Sequence, residues 1–261
     1  MGSRQLADLR APQVDERIRA DSILIQPLGA VEQHGPHLPF STDLVIAEEV
    51  AEAVVHERGD ELDLWLLPPL AYTKSNEHAW SAGTIWLSAT TLLAVLDDLG
   101  RSVATLPAKR LLFLNGHGGN SSLLNVACRE LRLRHGLMTF LAHPFVPPDQ
   151  GGKAETDPGD ERGMGVHGGI DETSLMLHLR PELVDMAAGF RNVPDDLADN
   201  RFVRFGGQVS FGWLSNDFGP SGHIGDPTGS TAERGKALFE AAVAAVGSAL
   251  VEVSAFTLPR G

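Results

Sequence analysis

An α/β fold, with a mostly parallel sheet covered by helices on both faces, is what this sequence predicts. Two observations carry that reading. Short apolar runs alternate at least three times with segments whose apolar residues fall at helical spacing, the pattern of strands joined by crossover helices. A chain of 261 residues, 43% hydrophobic and 21% charged, can bury one large core, and no linker divides it, so a single domain spanning 1–261 is expected.

The elements follow in order. "SILIQPLG" (22–29) is a strand that ends in glycine, and in "DLVIAEEVAEAVVHERG" (43–59) Ile46, Val50 and Val54 mark one helical face. "LDLWLLPPL" (62–70) reads as a second strand, and "SATTLLAVLDDLGRSVATL" (88–106) as a helix with Ser88 or Thr90 as its cap. "RLLFLNGHGGN" (110–120) is a third strand running into glycines. A helix around Cys128 and the strand "LMTFLAH" (137–143) come next. The polar stretch "PPDQGGKAETDPGDERGMG" (147–165) reads as a loop inserted near the site. The last helix, from about Thr231, carries an apolar stripe of Phe239, Val243, Val246, Leu250 and Val253, with Ser230 and Glu233 as a capping box.

Composition excludes several functions. A net charge of −13 argues against a nucleic-acid partner, which would need clustered Lys and Arg. The first residues lack the apolar core of a secretory signal, and no run approaches the roughly 18 continuous apolar residues of a membrane helix. A cytoplasmic protein without a membrane partner is expected. Cys128 is the only cysteine, which rules out an intramolecular disulfide and a thiolate-rich zinc site; within its helix it reads as a small buried hydrophobe. "GMGVHG" (163–168) fits G-x-G-x-x-G formally, but a polar loop precedes it where a dinucleotide site needs a strand. "GHGGNSS" (116–122) offers glycines and serines without the G-x-S-x-G elbow of a serine hydrolase.

In open parallel sheets ligands bind beyond the carboxyl ends of the strands. Glu32 and His34 follow the first strand, and residues two apart in extended backbone point to one side. His117 follows the third strand among glycines, which let a backbone approach a ligand closely. Carboxylate and imidazole together suit Zn, Mn or Fe(II). The residues alone leave two readings open: a metal site, or a solvent-facing Glu and histidines such as His37 that pack a loop. His78 and Trp80, after the second strand, are candidates to line a pocket, while Trp213 and His143 carry less weight.

Four blocks, "GAVEQHGPHLPFSTD", "NGHGGN", "HGGIDETSLMLHLRPE" and "GDPTGSTAERG", extend from Leu28 to Gly235, and their content and order resemble the creatininase family of metal-dependent amidohydrolases. The resemblance implies a three-layer α/β/α sandwich that binds two divalent metal ions per subunit. It implies Glu32, His34, Asp43 and His117 as ligands, with Asp43 bridging, and His167 as the group that protonates the leaving amine. Where creatininase has a Tyr and a Glu after the third-strand His, this chain has Gly118 and Gly119. Glu172 is then the expected replacement ligand; its other reading is a carboxylate favoured by a helix N-terminus. Gly118, Gly119 and Asn120 join His78 and Trp80 as expected substrate-binding residues.

"NEHAWSAGTIWLS" (76–88) resembles the peptidase branch of the family that serves the mycofactocin system, although Ser81-Ala82-Gly83-Thr84 stands where F-P-G-T is usual. That branch implies release of a C-terminal Val-Tyr dipeptide from a small modified precursor peptide. Hydrolysis of a small cyclic amide or a formamide, or metal binding without catalysis, are the alternatives. The family resemblance also implies a homo-oligomer.

Overall fold

Strands that run parallel cannot be joined by tight turns, and the crossovers they need place helices on the faces of the sheet. The computed structural model describes residues 3–145 and 161–259, and its elements follow that rule. After the short helix α1 (Ala11–Arg17) come β1 (Ile23–Leu28), α2 (Thr42–Leu62), β2 (Leu64–Leu66), α3 (Ala89–Val103), β3 (Arg110–Asn115), α4 (Ser121–His135) and β4 (Met138–Ala142). Three helices follow: α5 (Ile170–Leu179), the single-turn α6 (Asp195–Ala198) and α7 (Ala232–Ala255). Among the described residues the sheet has four strands, all parallel, in the order β2-β1-β3-β4.

Alternate residues of each strand serve opposite layers. Leu24, Leu28, Leu111 and Phe113 pack with Leu92, Leu96, Leu124 and Leu131 of α3 and α4. Ile23, Ile25, Leu112 and Leu114 pack with Val50, Val54, Val246 and Leu250 of α2 and α7. This is the three-layer α/β/α arrangement. The stripe on α7 lies where its spacing predicts, with Val243, Val246, Leu250 and Val253 buried and Phe239 half-buried. Cys128 packs against the α3/α4 side of the core, and burial pushes its thiol up to about 11.

One cap differs from expectation. Ser88 does cap α3, its hydroxyl accepting the Thr91 N–H. At α7, however, the cap is Thr231 and not Ser230: Thr231 Oγ1 accepts the Arg234 N–H. The Ser230 hydroxyl instead donates to the Ile170 carbonyl, so the Ser230 and Glu233 capping box does not form. Residues 147–160 of the polar loop lie outside the described residues.

The chain leaves β1 toward β2 on one side and returns to β3 on the other, which opens a crevice between the ends of β1 and β3. Leu28 pairs with Asn115 in register, so the segments after both strands start side by side. Gly29 and Gly116 then let the first turn of α2 come close. A Cβ at Gly29 would lie 2.3 Å from Leu44 Cα, and one at Gly116 would lie 2.5 Å from the Asp43 carbonyl oxygen. Both obstructions are backbone, so neither can move aside cheaply.

Gly29→Ala should therefore lower stability by about 1–3 kcal/mol in denaturant unfolding and reduce bound metal by displacing Asp43. Thr231→Ala should cost about 1 kcal/mol through the lost cap. An unchanged unfolding midpoint for either variant contradicts the packing described.

Candidate metal and catalytic site

The first turn of α2, the segment after β1 and the segment after β3 bring their polar side chains to one point. Glu32 is fully buried, His34 likewise, and Asp43 is 2% exposed. His34 Nε2 lies 3.0 Å from Asp43 Oδ1, and His117 Nδ1 lies 3.0 Å from Asp43 Oδ2 and 3.3 Å from Glu32 Oε1. Glu172, near the start of α5, joins from the other side, with one oxygen accepting the Gly168 N–H at 2.6 Å. Ligand-type atoms lie within 4.8 Å of one another in three overlapping groups: Glu32, Asp43 and His117; His34, Asp43 and Glu172; and Glu32, His34 and His167.

Backbone carbonyls orient the imidazoles. His34 Nδ1 lies 3.1 Å from the Glu32 carbonyl, His117 Nε2 lies 2.9 Å from the Lys74 carbonyl, and His167 Nε2 lies 2.6 Å from the Gln33 carbonyl. A carbonyl only accepts, so each of these nitrogens carries the proton. The opposite nitrogen of each ring therefore faces the carboxylates. Two carboxylate oxygens, Glu32 Oε1 and Asp43 Oδ2, are buried and have no hydrogen-bond donor. Buried negative atoms without a partner are costly, and divalent cations held between carboxylates and unprotonated imidazole nitrogens supply what is missing. The residues fit such ions, with Asp43 common to the first two ligand groups.

Without a cation the same geometry is met by protons. Burial opposes a charge on His34, but Asp43, with Glu172 and Glu32, overcomes it and pushes this imidazole up to about 10. His117 is raised well above its ordinary value against burial by Glu32, Asp43 and Glu77. Asp43 is held below the usual carboxylate range by these two histidines despite its burial. Burial first, then Asp43 and Glu32, push Glu172 up to about 7 against the pull of His34 and the Gly168 N–H. His167 moves the other way: burial, then the charges of His34 and His78, hold it well below its ordinary value. Its Nδ1 is an unprotonated imidazole nitrogen 3.7 Å from Glu32 Oε1.

A cavity of about 330 Å³ opens onto this cluster. Glu32, Asp43, His78, His117, His167, Glu172, Gly118 and Gly119 all line it, together with Trp213. Trp80 and Asn120 do not. The Trp80 indole N–H donates to Ser215 Oγ at 2.7 Å. Asn120 is buried in a network with Thr73, Asn115 and the Lys74 N–H, where it ties the segment after β3 to the one after β2. His37 lies against Thr173 and His143 against Ser121, both outside the cavity.

Sequence reasoning passed over five supporting residues. Ser75 Oγ donates to Glu32 Oε2 at 2.5 Å, leaving only Oε1 free. Glu77 and Lys74 form an ion pair at 2.5 Å beside His117. The Gln33 side chain donates to His78 Nδ1 at 2.9 Å, which aims that ring's Nε2 toward Glu32 at 3.4 Å. Glu161 is 5% exposed and accepts the N–H groups of Ile170 and Asp226, which holds the turn between His167 and α5. The signals available were Gln33, between Glu32 and His34 in the first quoted block, and Glu77 beside His78 in a later one; Lys74, Ser75 and Glu161 lie outside the quoted family blocks.

Comparison with known proteins points to one family. The family model for creatininase, described as creatinine amidohydrolase, matches residues 7–250. The mycofactocin precursor peptide peptidase of Mycobacterium ulcerans (strain Agy99) is 39% identical over 226 residues, 84% of this chain and 80% of that protein. A solved creatininase described as Mn is 26% identical with a TM-score of 0.74, covering 96% of this chain and 98% of its own. A creatininase variant described as Zn-Zn type is also 26% identical, with a TM-score of 0.73 over 97% and 98%.

Because His34 has a folded value of about 10, its pairing with Asp43 contributes fully to the stability of metal-free protein below about pH 6.5 and is lost as pH rises through about 10. A cation that takes the Nε2 position must displace this proton, so binding at pH 7 should release protons. Calorimetric titration with Zn or Mn in buffers of different ionisation enthalpy should show at least one proton released per chain, and affinity should weaken as pH falls. Binding without proton release would contradict the assignment of His34.

Proposed function

This chain belongs to the creatininase family and is a hydrolase of C–N bonds, and from that premise we propose that it is a metal-dependent peptidase acting on a small modified peptide, releasing the C-terminal Val-Tyr dipeptide of a mycofactocin-type precursor. One observation carries the chemistry. The ligand groups that share Asp43 open onto the same cavity as the unprotonated nitrogen of His167.

Glu32, Asp43 and His117 would hold one divalent ion, and His34, Asp43 and Glu172 a second; Zn, Mn and Fe(II) all suit these donors. Bound divalent ions lower the pKa of a water toward neutrality and polarise an amide carbonyl. His167 supplies the proton traffic. Its Nε2–H is committed to the Gln33 carbonyl, and its depressed pKa leaves Nδ1 free to take the proton that the attacking water gives up. The new C–O bond forms, the C–N bond breaks, and His167 passes that proton to the departing nitrogen. Gln33 fixes both His167 and His78, so the ring that moves the proton keeps its aim through the cycle.

The peptidase reading is supported by the relative at 39% identity, and Phe205, Phe211 and Trp213 give the cavity an aromatic wall that an apolar side chain of a peptide can lie against. A second reading, hydrolysis of a small cyclic amide, takes its support from the description of the matching family model. The glycines at 118 and 119, where creatininase has Tyr and Glu, weigh against creatinine itself. A homo-oligomer in solution is part of the same proposal.

The test is release of Val-Tyr from the modified precursor, measured with metal content before and after chelation. Asp43→Ala should remove metal and activity together. His167→Ala should keep its metal and lose about 100- to 10,000-fold in turnover. A fully active Asp43→Ala protein ends the proposal, and metal-replete protein that hydrolyses a cyclic amide but not the precursor replaces it with the second reading.

A further inference from the structure

Three imidazoles of the cluster, those of His34, His117 and His167, each give one N–H to a backbone carbonyl and turn the other nitrogen to the carboxylates. His78 is set the other way round. It sits in the short 3-10 turn Asn76–His78, is 1% exposed, and lines the cavity. Which of its nitrogens carries the proton is decided by the side chain of Gln33.

The Gln33 amide has one orientation that its neighbours accept. Its Oε1 accepts the Gly35 N–H at 2.8 Å, and its Nε2 donates to the Gly222 carbonyl at 3.0 Å. A backbone N–H only donates and a carbonyl only accepts, so turning the amide over would set donor against donor and acceptor against acceptor. The second hydrogen of Nε2 is then given to His78 Nδ1, 2.9 Å away. An imidazole that accepts at Nδ1 carries its proton on Nε2.

Among the described residues this Nε2–H makes no hydrogen bond. Its neighbour is Glu32 Oε1 at 3.4 Å, an oxygen that itself has no donor. The His78 and His167 rings lie 4.2 Å apart between centroids. The oxygen and nitrogen of an amide share one carbon, so a group that meets the oxygen has to stand beside the group that serves the nitrogen. His167 takes the nitrogen in the chemistry above, and the ring next to it is the one that presents an uncommitted donor.

We propose that His78 is a catalytic residue whose Nε2–H donates to the oxygen of the scissile amide and stabilises the negative charge that develops there. This rests on the amide hydrolysis proposed above and names the group that meets the carbonyl oxygen, whichever amide is the substrate. As water adds to the carbon, the C–O bond forms and the π pair of the carbonyl moves onto its oxygen; as the C–N bond breaks, that pair returns. The His78 proton stays on Nε2 throughout, so the step needs no further reactant. A carbonyl oxygen has two lone pairs, which leaves room for this donor beside a cation. A preorganised donor of this kind acts on charge present in the transition state and so raises kcat more than it tightens binding.

The experiment compares the zinc-loaded full-length protein with His78→Leu and His78→Gln for metal content and for turnover of the modified precursor. His78→Leu should lose about 100- to 1,000-fold in kcat while KM changes little and the metal stays. His78→Gln, whose amide restores a donor, should stand above His78→Leu by about tenfold. Nitrogen-15 NMR of the wild type should show the His78 ring with its proton on Nε2 and none on Nδ1, a result that depends on no variant folding. An unchanged kcat in His78→Leu, metal lost from both variants, or a proton on Nδ1 overturns the role of His78 and leaves the peptidase reading standing. If the wild type leaves the precursor intact and opens a cyclic amide, the peptidase reading falls, and the same comparisons on that amide decide His78.

Discussion

Two buried carboxylate oxygens that face imidazole nitrogens without a donor between them set the terms for the rest of this molecule. Glu32 Oε1 and Asp43 Oδ2 are buried without a hydrogen-bond partner, and such an arrangement persists only with positive charge at its centre, whether protons on His34 and His117 or bound cations. The fold brings these groups together at a definite cost. The first turn of α2 approaches the ends of β1 and β3 so closely that Gly29 and Gly116 have no room for a side chain. The hydrophobic layers hold this approach in place, since Val50 and Val54 of α2 pack on the sheet face opposite the one that α3 and α4 cover.

Backbone geometry then decides what each imidazole can do. The carbonyls of Glu32, Lys74 and Gln33 each receive one ring N–H, from His34, His117 and His167. A main-chain acceptor cannot change its protonation, so the nitrogen that faces the carboxylates is fixed in every case. His34 and His117 lie among carboxylates and are drawn toward the charged form, whereas His167 lies against two other histidines and is driven toward the neutral form. Chemically identical side chains are thus drawn toward opposite forms because their neighbours differ.

The ring of supporting residues shows why the site is not a set of ligands alone. Ser75 occupies one oxygen of Glu32, and Glu77 fills the space left by Gly119. Gln33 bridges two histidines, and Glu161 braces the turn that carries His167. Each removes a freedom that would let a ligand swing away from the centre.

Much of this was legible in the sequence. The alternation of strand and helix gave the layers, because hydrophobic periodicity is a local property that burial on two faces imposes directly. Glu32, His34 and His117 were legible because they follow strand ends, where parallel sheets gather their ligands, whereas Asp43, in the first turn of α2, was expected only from the family resemblance. The cap of α7 was misjudged by one residue, since Ser230 and Thr231 are equal candidates until the Ile170 carbonyl claims the Ser230 hydroxyl. Trp80 and Asn120 share segments with cavity residues yet point to Ser215 and to the Thr73 network, a matter of direction that spacing does not carry. The placing of Glu77 against His117, the brace from Glu161 to Asp226 and the opposite shifts of His167 and His34 belong to the tertiary structure. They arise between groups far apart in the chain or from burial itself, and neither long-range proximity nor the loss of water around a side chain is written in local sequence.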